Sequence, residues 1–565
     1  MDRNTVINIG AQRFDKLRER NSFYIDKTGF IKEWWEQGSD VTLITRPRRF
    51  GKTLNMSTIE CFFSNHFADR GDLFEGLSIW KEETYKKLQG TYPVIFLSFA
   101  SVKTGEIEEI KKSVKQIITN IYSEYRDIMT SDIFNDNDRK AFASVYAEMD
   151  DVTAYTAINT LCIYLKRFYG KDVIILLDEY DTPMQESWIA GTWNESVTFF
   201  RNFFNNTFKT NRNILRGIIT GITRISKESI FSDLNNLKII TTTSEKYATY
   251  FGFTEEETFH ALDALGLGDE KQGVKKWYNG FTFGTHTNIY NPWSIASFIE
   301  NNGKYDTYWA DTSSNGLINS LIQKGNSTTK EAMEELIQGK SIISRIDEQI
   351  VFDHLSNTNA LWSLLLATGY LKVTALKYIG ERKEKQYTLA LTNMEVSIMF
   401  EDMVKRWFGG NTEIVYNNFI KALLIDDVDS MNEFMNDIAF HSFSNFDIAK
   451  GTSSQDAPER FYHGFVLGLI VELAGRFKIT SNRESGFGRY DIMLTPVDRE
   501  HDQAYIIEFK VHKPKKEKDL VETVANAHVQ IEKKGYEAAL IQDGFAPEQV
   551  RKYGFAFRGK ECLIG

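Results

Sequence analysis

Two short apolar runs, each followed by residues suited to phosphate or metal chemistry, constrain the fold of this chain most strongly. The first segment, Val41–Thr53, reads VTLITRPRRFGKT and leads through a loop into an amphipathic helix. The second, Val173–Asp181, reads VIILLDEYD and ends in adjacent carboxylates. Short β-branched runs that alternate with helical patterns predict buried parallel strands. The pair therefore predicts a parallel α/β sheet that holds a nucleoside triphosphate and its magnesium.

The loop between the first strand and its helix is the predicted phosphate site. Backbone amides at a helix N-terminus favour an anion. Lys52 would neutralise the β- and γ-phosphates, and the Thr53 hydroxyl would ligate magnesium. The usual pattern G-x-x-x-x-G-K-[ST] is incomplete, because Arg46 stands where the first glycine belongs and resists a positive φ. Taken alone, the segment could also be a strand, loop and helix that contain GKT without binding phosphate.

The carboxylates after the second run favour the phosphate interpretation. Asp178 is predicted to hold magnesium, directly or through water, and Glu179 to polarise the attacking water. A strand end that merely reaches solvent is the alternative for this pair. Asp181 precedes Thr-Pro and is interpreted as a turn residue. Thr220 ends a later apolar run, where it could sense the γ-phosphate, and Arg224 could stabilise the transferred charge.

The candidate nucleotide site follows from these segments. Arg48 and Arg49 could touch phosphate, a neighbouring subunit or solvent, and solvent or a subunit edge is favoured for their side chains. Thr53 and Asp178 are the predicted magnesium ligands. The complete set of predicted nucleotide-binding residues is Arg49, Phe50, Gly51, Lys52, Thr53, Leu54, Asp178, Thr220 and Arg224.

Several longer motifs carry a resemblance to a known family. The N-terminal half is similar to the predicted AAA-ATPase-like family that occurs beside nuclease domains in bacterial proteins. That resemblance implies a P-loop NTPase module related to signal-transduction ATPases, with a helical or winged-helix lid, and it makes Arg46 a family feature. The motifs are FYIDKTGFI (23–31), LITRPRRFGKTLNMS (43–57), LLDEYDTP (176–183), SIFSDLNNL (229–237) and WYNGFTFG with IYNPWSI (277–295).

The C-terminal segment has, independently of any family, the carboxylate pattern of a metal-dependent nuclease. Asp491 starts one predicted strand, and Glu508 and Lys510 lie near the end of the next, on one face by alternation. If the strands pair as a hairpin, Asp491 falls beside that face. The two carboxylates would then hold magnesium, and Lys510 would orient water or stabilise phosphate charge. Glu459, on the preceding helix, is a further candidate metal ligand, with a surface or packing role as the alternative.

This segment is also similar to the PD-(D/E)XK nuclease superfamily. The resemblance implies a restriction-endonuclease-like α/β domain, in which Gln530 matches a glutamine of a later helix. From the residues alone, a Glu-x-Lys triplet is weak, because such triplets occur in many strands. Its value comes from the order of helix, strand with Asp491, strand with Glu508 and Lys510, and helix.

The remaining pattern predicts how the chain is divided. Strands are expected at VINIG (6–10), at 92–100, at 214–224 and, near the C-terminus, at EAALIQD. Helices are expected after Thr28, at 104–128 and at 150–169, and Thr254 is expected to cap the start of another helix. After Thr254 the pattern changes to aromatic helix–hairpin–helix units, the second at 355–408 with strands at LKVTAL and QYTLALT, and 445–459 is polar and linker-like. The predicted domains are a P-loop domain (1–253), a helical or winged-helix lid (254–340), a helical linker domain (341–447) and a nuclease-like domain (448–565).

Composition limits the class of protein. Hydrophobic content of 42% and charged content of 25% are typical of a globular protein, and the formal charge of −10 shows no overall basic footprint. Three cysteines without metal-like spacing indicate a reducing compartment. The N-terminus lacks a signal-peptide core, and no run is long enough to span a membrane. A cytoplasmic location without membrane contact is therefore predicted.

The leading hypothesis is an enzyme. We expect an ATP-binding and ATP-hydrolysing module, with ATP and Mg²⁺ as cofactors, that controls a Mg²⁺-dependent nuclease acting on DNA or RNA at the C-terminal domain. The alternative is a nucleotide-gated signalling switch or scaffold whose nuclease-like domain only binds a partner. The base of the nucleotide, the cleavage mode and a homo-oligomeric state stay open from the sequence.

Overall fold

A computed structural model describes residues 6–224, 230–231, 234–309, 316–323, 325, 327–347, 358–407, 411–446, 457–483, 490–559 and 561–565. The chain separates into two compact units. The first comprises Met1–Ser314 and Ile343–Val396, and the second comprises Asn315–Ile342 and Ser397–Gly565. The four-domain division stays a prediction. Among the described helices, none is long and apolar enough to cross a membrane.

The first unit is built on a five-stranded parallel sheet. Its strands are β1 (Val41–Thr45), β2 (Val94–Ser98), β3 (Val173–Asp178), β4 (Ile214–Gly221) and β5 (Leu237–Ile240). The order is β2-β3-β4-β1-β5, with all neighbours parallel. Every residue of β1 and β3 is buried, as their continuous apolar runs predict. Because β4 lies between β1 and β3, the carboxyl ends of all three meet at one edge.

Helices connect β1 to β2, β2 to β3 and β3 to β4, as expected for parallel strands. The predicted helices after Thr28, after Lys52 and within 104–128 and 150–169 are present. The helices of this region are α1 (Phe14–Glu19), α2 (Gly29–Gln37), α3 (Lys52–Phe63), α4 (Glu83–Lys86), α5 (Ile107–Glu124), α6 (Asp136–Ala143), α7 (Asp151–Tyr169), α8 (Thr182–Ala190) and α9 (Trp193–Phe204).

A small antiparallel sheet with helices follows the parallel sheet. Its strands are β6 (Phe253–Thr254), β7 (Asn279–Phe283) and β8 (His286–Tyr290), in the order β6-β8-β7. Thr254 and Glu257 form a capping box that begins the first helix of this region, which confirms the predicted start. The helices are α10 (Glu255–Ala264), α11 (Lys271–Tyr278) and α12 (Pro292–Glu300).

The middle of the chain adds a second hairpin between helices, as the pattern predicts for 355–408. The elements, in chain order, are α13 (Gly316–Gln323), α14 (Ser327–Ile337), β9 (Ile342–Ser344), α15 (Thr358–Ala367), β10 (Leu371–Ile379), β11 (Glu384–Leu391) and α16 (Met394–Trp407).

The C-terminal part of the second unit contains a mixed five-stranded sheet. Its strands are β12 (Phe477–Arg483), β13 (Tyr490–Pro496), β14 (Ala504–Val511), β15 (Val550–Arg558) and β16 (Glu561–Ile564), paired in that order. Only β14 and β15 pair in parallel within this sheet. The helices are α17 (Asn411–Leu424), α18 (Val428–Phe446), α19 (Ala457–Glu472), α20 (Leu520–Lys534) and α21 (Tyr536–Gln542).

Two predicted strands are wrong. EAALIQD lies within α21 and its end, and Leu540 packs against Ile506 and Ile531 in a buried cluster. Alanine and leucine favour a helix there, and β15 occupies the place beside β14. VINIG forms no strand in the described residues 6–10, where Val6 makes a single bridge to Ser22. The predicted linker at 445–459 lies largely outside the described residues.

Candidate functional site

The phosphate loop joins β1 to α3 with two backbone conformations in the left-handed region. Gly51 directly precedes α3 at φ +77°, a value that glycine adopts without strain, whereas Arg49 adopts φ +65° despite its side chain. Lys52 and Thr53 are the first two residues of the helix. Amides in a first helical turn have no intrahelical acceptor, so the loop presents donors where an anion would bind.

Lys52 is held inside this loop. Its side chain is buried, and Nζ donates to the carbonyl oxygens of Arg46 at 3.0 Å and Pro47 at 2.8 Å. Burial lowers the pKa of the Lys52 ammonium, and the nearby carboxylates of Glu179 and Asp178 partly offset that effect. The ammonium therefore lies close to the carboxylate edge of the sheet.

Asp178 is the centre of a hydroxyl network at that edge. Its carboxylate is fully buried and accepts a hydrogen bond from Thr53 Oγ1 at 2.6 Å and another from Thr220 Oγ1. Burial raises the pKa of Asp178, and the two hydroxyl donors oppose that rise. The position of β4 between β1 and β3 brings Thr220 to this carboxylate. Hydroxyl and carboxylate oxygens are the donors that Mg²⁺ prefers, so the group fits that ion.

The other two acidic residues after β3 have distinct environments. Glu179 adopts φ +52° and accepts a hydrogen bond from Thr182 Oγ1 at 3.2 Å. Asp181 is buried, and it accepts from the amides of Ile222 at 3.1 Å and Thr223 at 2.8 Å. Asp181 thus ties the turn after β3 to the segment after β4, which agrees with its interpretation as a turn residue. Non-glycine residues with positive φ cluster at functional sites, and Glu179 is such a residue.

Arg46 takes a structural role that the sequence did not reveal. Its guanidinium is buried and donates to the carbonyl oxygens of Thr45 at 2.9 Å, Thr241 at 2.6 Å and Lys246 at 3.3 Å. It also lies 4.6 Å from the ring centroid of Phe283. Burial lowers the pKa of Arg46 to about 9. The residue that replaces the first glycine therefore anchors the loop to the end of β5 and to the β7–β8 hairpin.

The next loop residues are bound by the segment 279–309. The carbonyl oxygen of Arg48 accepts from Trp309 Nε1 at 3.1 Å and from Asn291 Nδ2 at 3.5 Å. The guanidinium of Arg49 lies 3.9 Å from the ring centroid of Trp293. Phe50 is buried against Phe281 and Phe283. The Phe50 side chain therefore packs in the core, and only its backbone would contact a phosphate.

Two predicted nucleotide-binding residues lie apart from this network. Arg224 lines a small cavity with Thr45, Thr241 and Asp347, and its Nε has no hydrogen-bond partner among the described residues. Leu54 is half-buried in the first turn of α3. The structure thus brings together Lys52, Thr53, Asp178 and Thr220, while the roles of Arg224 and Leu54 stay predictions.

The second candidate site lies on the C-terminal sheet. Asp491 on β13 is paired directly with Glu508 on β14, which is the register that the hairpin hypothesis requires. Lys510 lies two residues further along β14, and its Nζ donates to Gln530 Oε1 of α20 at 2.9 Å. The side chains of Asp491 and Glu459 lie outside the described residues. Backbone register therefore supports the predicted grouping of Asp491, Glu508 and Lys510.

The environment of Glu508 indicates whether this site fits a metal ion. Its side chain is fully buried, and neither carboxylate oxygen accepts a hydrogen bond within the described part of the chain. A buried carboxylate without a donor is costly, and a divalent cation would offset that cost. Among the described side chains, no group of three or more His, Cys, Asp or Glu residues forms a metal site. Glu508 thus fits a metal ion, and further ligands would come from outside that set.

Contacts made by three residues were missed from the sequence. Asn291 and Trp309 bind the phosphate loop from about 240 to 260 residues away. Arg46 binds carbonyl oxygens about 195 to 200 residues away. The NPW motif was a usable signal for Asn291, because an asparagine before proline is a typical helix cap, and Asn291 does cap α12. No local signal marks the partners of Arg46.

Comparisons with known proteins give a family match for each of the two regions that contain the candidate sites. Residues 8–231 match the family described as "Predicted AAA-ATPase", and residues 457–565 match the PD-(D/E)XK nuclease superfamily. The chain is also similar to a protein of Azotobacter chroococcum mcd 1 described as "Uncharacterized protein in vnfD 5'region". The two are 26% identical over 390 residues, which cover 69% of this chain and 67% of that protein. Both family matches are those that the sequence resemblance implied.

Proposed function

We propose that this protein binds and hydrolyses ATP at the phosphate loop, and that the nucleotide controls Mg²⁺-dependent cleavage of nucleic acid by the C-terminal region. The observation that carries the first half is the network in which Asp178 accepts hydrogen bonds from Thr53 and Thr220 beside the ammonium of Lys52. This network brings together, at one edge of the sheet, the types of residue that triphosphate chemistry needs.

Each residue has a distinct role in this proposal. Lys52 exchanges its two loop carbonyl acceptors for phosphate oxygens. Thr53 and Asp178 hold the magnesium ion, which neutralises charge on the phosphates when bound. Glu179 orients the attacking water, and its positive φ aims its side chain differently from that of its neighbours on β3. Thr220 links the position of Asp178 to β4 and can respond when the γ-phosphate leaves.

The nuclease half is supported by the pairing of Asp491 with Glu508 and by the hydrogen bond between Lys510 and Gln530. Glu508 would hold the metal ion together with Asp491. Lys510 is placed by Gln530 to orient water or to stabilise phosphate charge. The match of residues 457–565 to the nuclease superfamily supports a phosphodiester as the substrate class.

A buried carboxylate supports the coupling between the two activities. Glu395 of α16 is buried and accepts hydrogen bonds from the amide of Trp309 and from Ser294 Oγ at 2.9 Å. Trp309 also donates through its indole to the carbonyl of Arg48 in the phosphate loop. Helix α16 begins in the first unit and continues into the second. A change in the loop on nucleotide binding can therefore reach the helix that connects the units.

The experiment pairs a nucleotide-binding and hydrolysis assay with a cleavage screen on duplex DNA, single-stranded DNA and RNA. Lys52→Ala should abolish ATP turnover, and Asp491→Ala and Lys510→Ala should abolish metal-dependent cleavage. Glu395→Gln should preserve both activities but remove the ATP dependence of cleavage, whereas the exposed Asp402→Asn on the same helix should preserve it. Unchanged ATP turnover in Lys52→Ala would contradict the first half. Tight ATP binding without hydrolysis or cleavage would support a non-catalytic switch instead.

A further inference from the structure

The hairpin formed by β10 and β11 extends beyond the packed part of the first unit. Its base is anchored by the buried side chains of Leu371, Tyr387 and Leu389. All residues from 374 to 385, by contrast, are exposed on both faces. Six residues of a strand span about 20 Å, so the exposed arm is long enough to reach well into a partner. A turn closes it, in which the Lys383 amide donates to the Gly380 carbonyl at 3.1 Å.

The exposed arm is basic although the chain is acidic. It contains two acidic residues, and one of them, Glu384, is paired with Arg345 at 2.7 Å. The formal charge of the whole chain is −10, so this local excess of positive charge is opposite to the average of the molecule. The four cations of the arm are Lys377, Arg382, Lys383 and Lys385.

Apolar side chains are exposed between these cations. Tyr378 is 61% exposed, and Leu376 and Ile379 are 41% and 48% exposed. The register places Tyr378 opposite Lys385, so an aromatic ring and an ammonium share one face of the hairpin. Exposed apolar groups beside cations suit a surface that offers both phosphates and base or sugar edges.

We propose that the β10–β11 hairpin is a DNA-binding arm that enters a groove of a duplex. The major groove of B-DNA is about 12 Å wide and admits a two-stranded β-ribbon. The four cations contact phosphates, and Tyr378 contacts the groove between them. The affinity for a polyanion follows from the charge and shape of the hairpin, whereas the choice of duplex DNA rests on the proposed nuclease function.

The test uses the full chain carrying Lys510→Ala, which prevents cleavage during the measurement. The hairpin variant changes Lys377, Arg382, Lys383 and Lys385 to glutamine. Its control changes four exposed lysines elsewhere in the first unit, Lys87, Lys112, Lys140 and Lys209, to glutamine. Fluorescence anisotropy with a labelled 30-base-pair duplex measures affinity over a range of salt concentrations, with matched single-stranded RNA and anionic lipid vesicles as competitors. Melting temperatures establish that each variant is folded.

The hairpin variant should weaken duplex binding at least tenfold and reduce the slope of log K against log salt by about 3 to 4, because each lost phosphate contact removes about 0.9. The control should retain its affinity within about twofold. Unchanged binding in the hairpin variant, or an equal loss in the control, would overturn the proposal. Hairpin-dependent binding of RNA or vesicles in preference to the duplex would also overturn it. Cleavage by the chain with Lys510 intact is a separate readout, whose failure would count against the nuclease function alone.

Discussion

The two candidate sites of this molecule differ in the hydrogen bonding of a buried carboxylate. Asp178 and Glu508 lie near the ends of strands in different sheets, and both side chains are fully buried. Asp178 accepts hydrogen bonds from Thr53 and Thr220. Glu508 accepts none from the described residues. Burial carries a similar desolvation cost in both places, so the difference lies in what offsets it.

This difference distinguishes the two proposed metal sites. At the phosphate loop, the hydroxyl of Thr53 donates its hydrogen to Asp178 and keeps its oxygen lone pairs for magnesium. Nucleotide binding requires a change at Lys52 instead, because its ammonium is bonded to two loop carbonyl oxygens. At the C-terminal sheet, Glu508 depends on a cation or on groups outside the described residues. We therefore expect ligand-induced change at the first site and a metal-dependent fold at the second.

The largest expected effect comes from neutralising each carboxylate. Asp178→Asn should lower the ATPase rate at least about 100-fold, and Glu508→Gln should lower the cleavage rate by a similar factor, because each removes charge that holds the metal ion. Glu508→Gln should leave the ATPase rate within a fewfold of the parent protein, whereas Asp178→Asn should also remove the response of cleavage to ATP. Both rates are measured under saturating Mg²⁺. Loss of ATPase activity in Glu508→Gln would show that the sites are not separate.

The next largest effect is expected when Arg46, which anchors the phosphate loop, is replaced. Arg46→Met removes three hydrogen bonds to backbone carbonyl oxygens, two of them buried, and should destabilise the protein by about 2–4 kcal/mol. It should also weaken ATP binding, since the same residue positions the carbonyl that holds Lys52. The exposed Arg48→Met should change stability by less than about 0.5 kcal/mol. Denaturant unfolding, followed by tryptophan fluorescence, measures the free energy of unfolding of both variants. Equal stability of the two variants would show that the buried guanidinium is not an anchor.

The same contrast explains how much the sequence could predict. The runs that form β1 and β3 are short, β-branched and fully buried, so their position and the grouping of Lys52, Thr53 and Asp178 followed from local pattern. The pairing of Asp491 with Glu508 followed from a hairpin of the right length. These features depend on neighbours in sequence or on strand alternation, which a pattern can express.

What was missed depends on distant contacts or on competition between elements. The partners of Arg46 are carbonyl oxygens, which any residue supplies, so no residue type marks them. EAALIQD is apolar enough for a strand, but β15, a segment further along the chain, takes the position beside β14. A short apolar run does not distinguish the two outcomes by itself. The exposed β10–β11 arm was predicted as strands, while its exposure became evident only from the fold.

A smaller effect is expected on folding stability when each of the two carboxylates is replaced by an amide. Asp178→Asn should destabilise the protein by about 1–2 kcal/mol, because the amide cannot accept both hydroxyl hydrogen bonds. Glu508→Gln, measured without divalent cations, should be neutral or stabilising by up to about 1 kcal/mol, since it removes a buried carboxylate that has no described donor. Mg²⁺ should stabilise the parent protein but not Glu508→Gln. A clear loss of stability in Glu508→Gln without metal would show that Glu508 has a protein partner.

The smallest effect is a pH dependence of stability that arises from Asp178 at the phosphate-loop site. Burial raises the pKa of Asp178 above its ordinary value of 3.8. The folded state therefore binds this proton more tightly than the unfolded state does. The resulting stabilisation is complete below the unfolded pKa and is lost as the pH rises through the raised folded pKa. Asp178→Asn removes this titration while leaving the other buried carboxylates in place.

The difference in melting temperature between the parent protein and Asp178→Asn should accordingly be larger at pH 4 than at pH 7. Taking this difference cancels the contributions of Asp181 and Glu60, whose pKa values burial also raises. If the difference for Asp178→Asn instead grew toward pH 7, the hydroxyls of Thr53 and Thr220 would outweigh burial. The carboxylate would then be held as an anion without a cation, and the phosphate-loop site would be more strongly preorganised for magnesium than its burial implies.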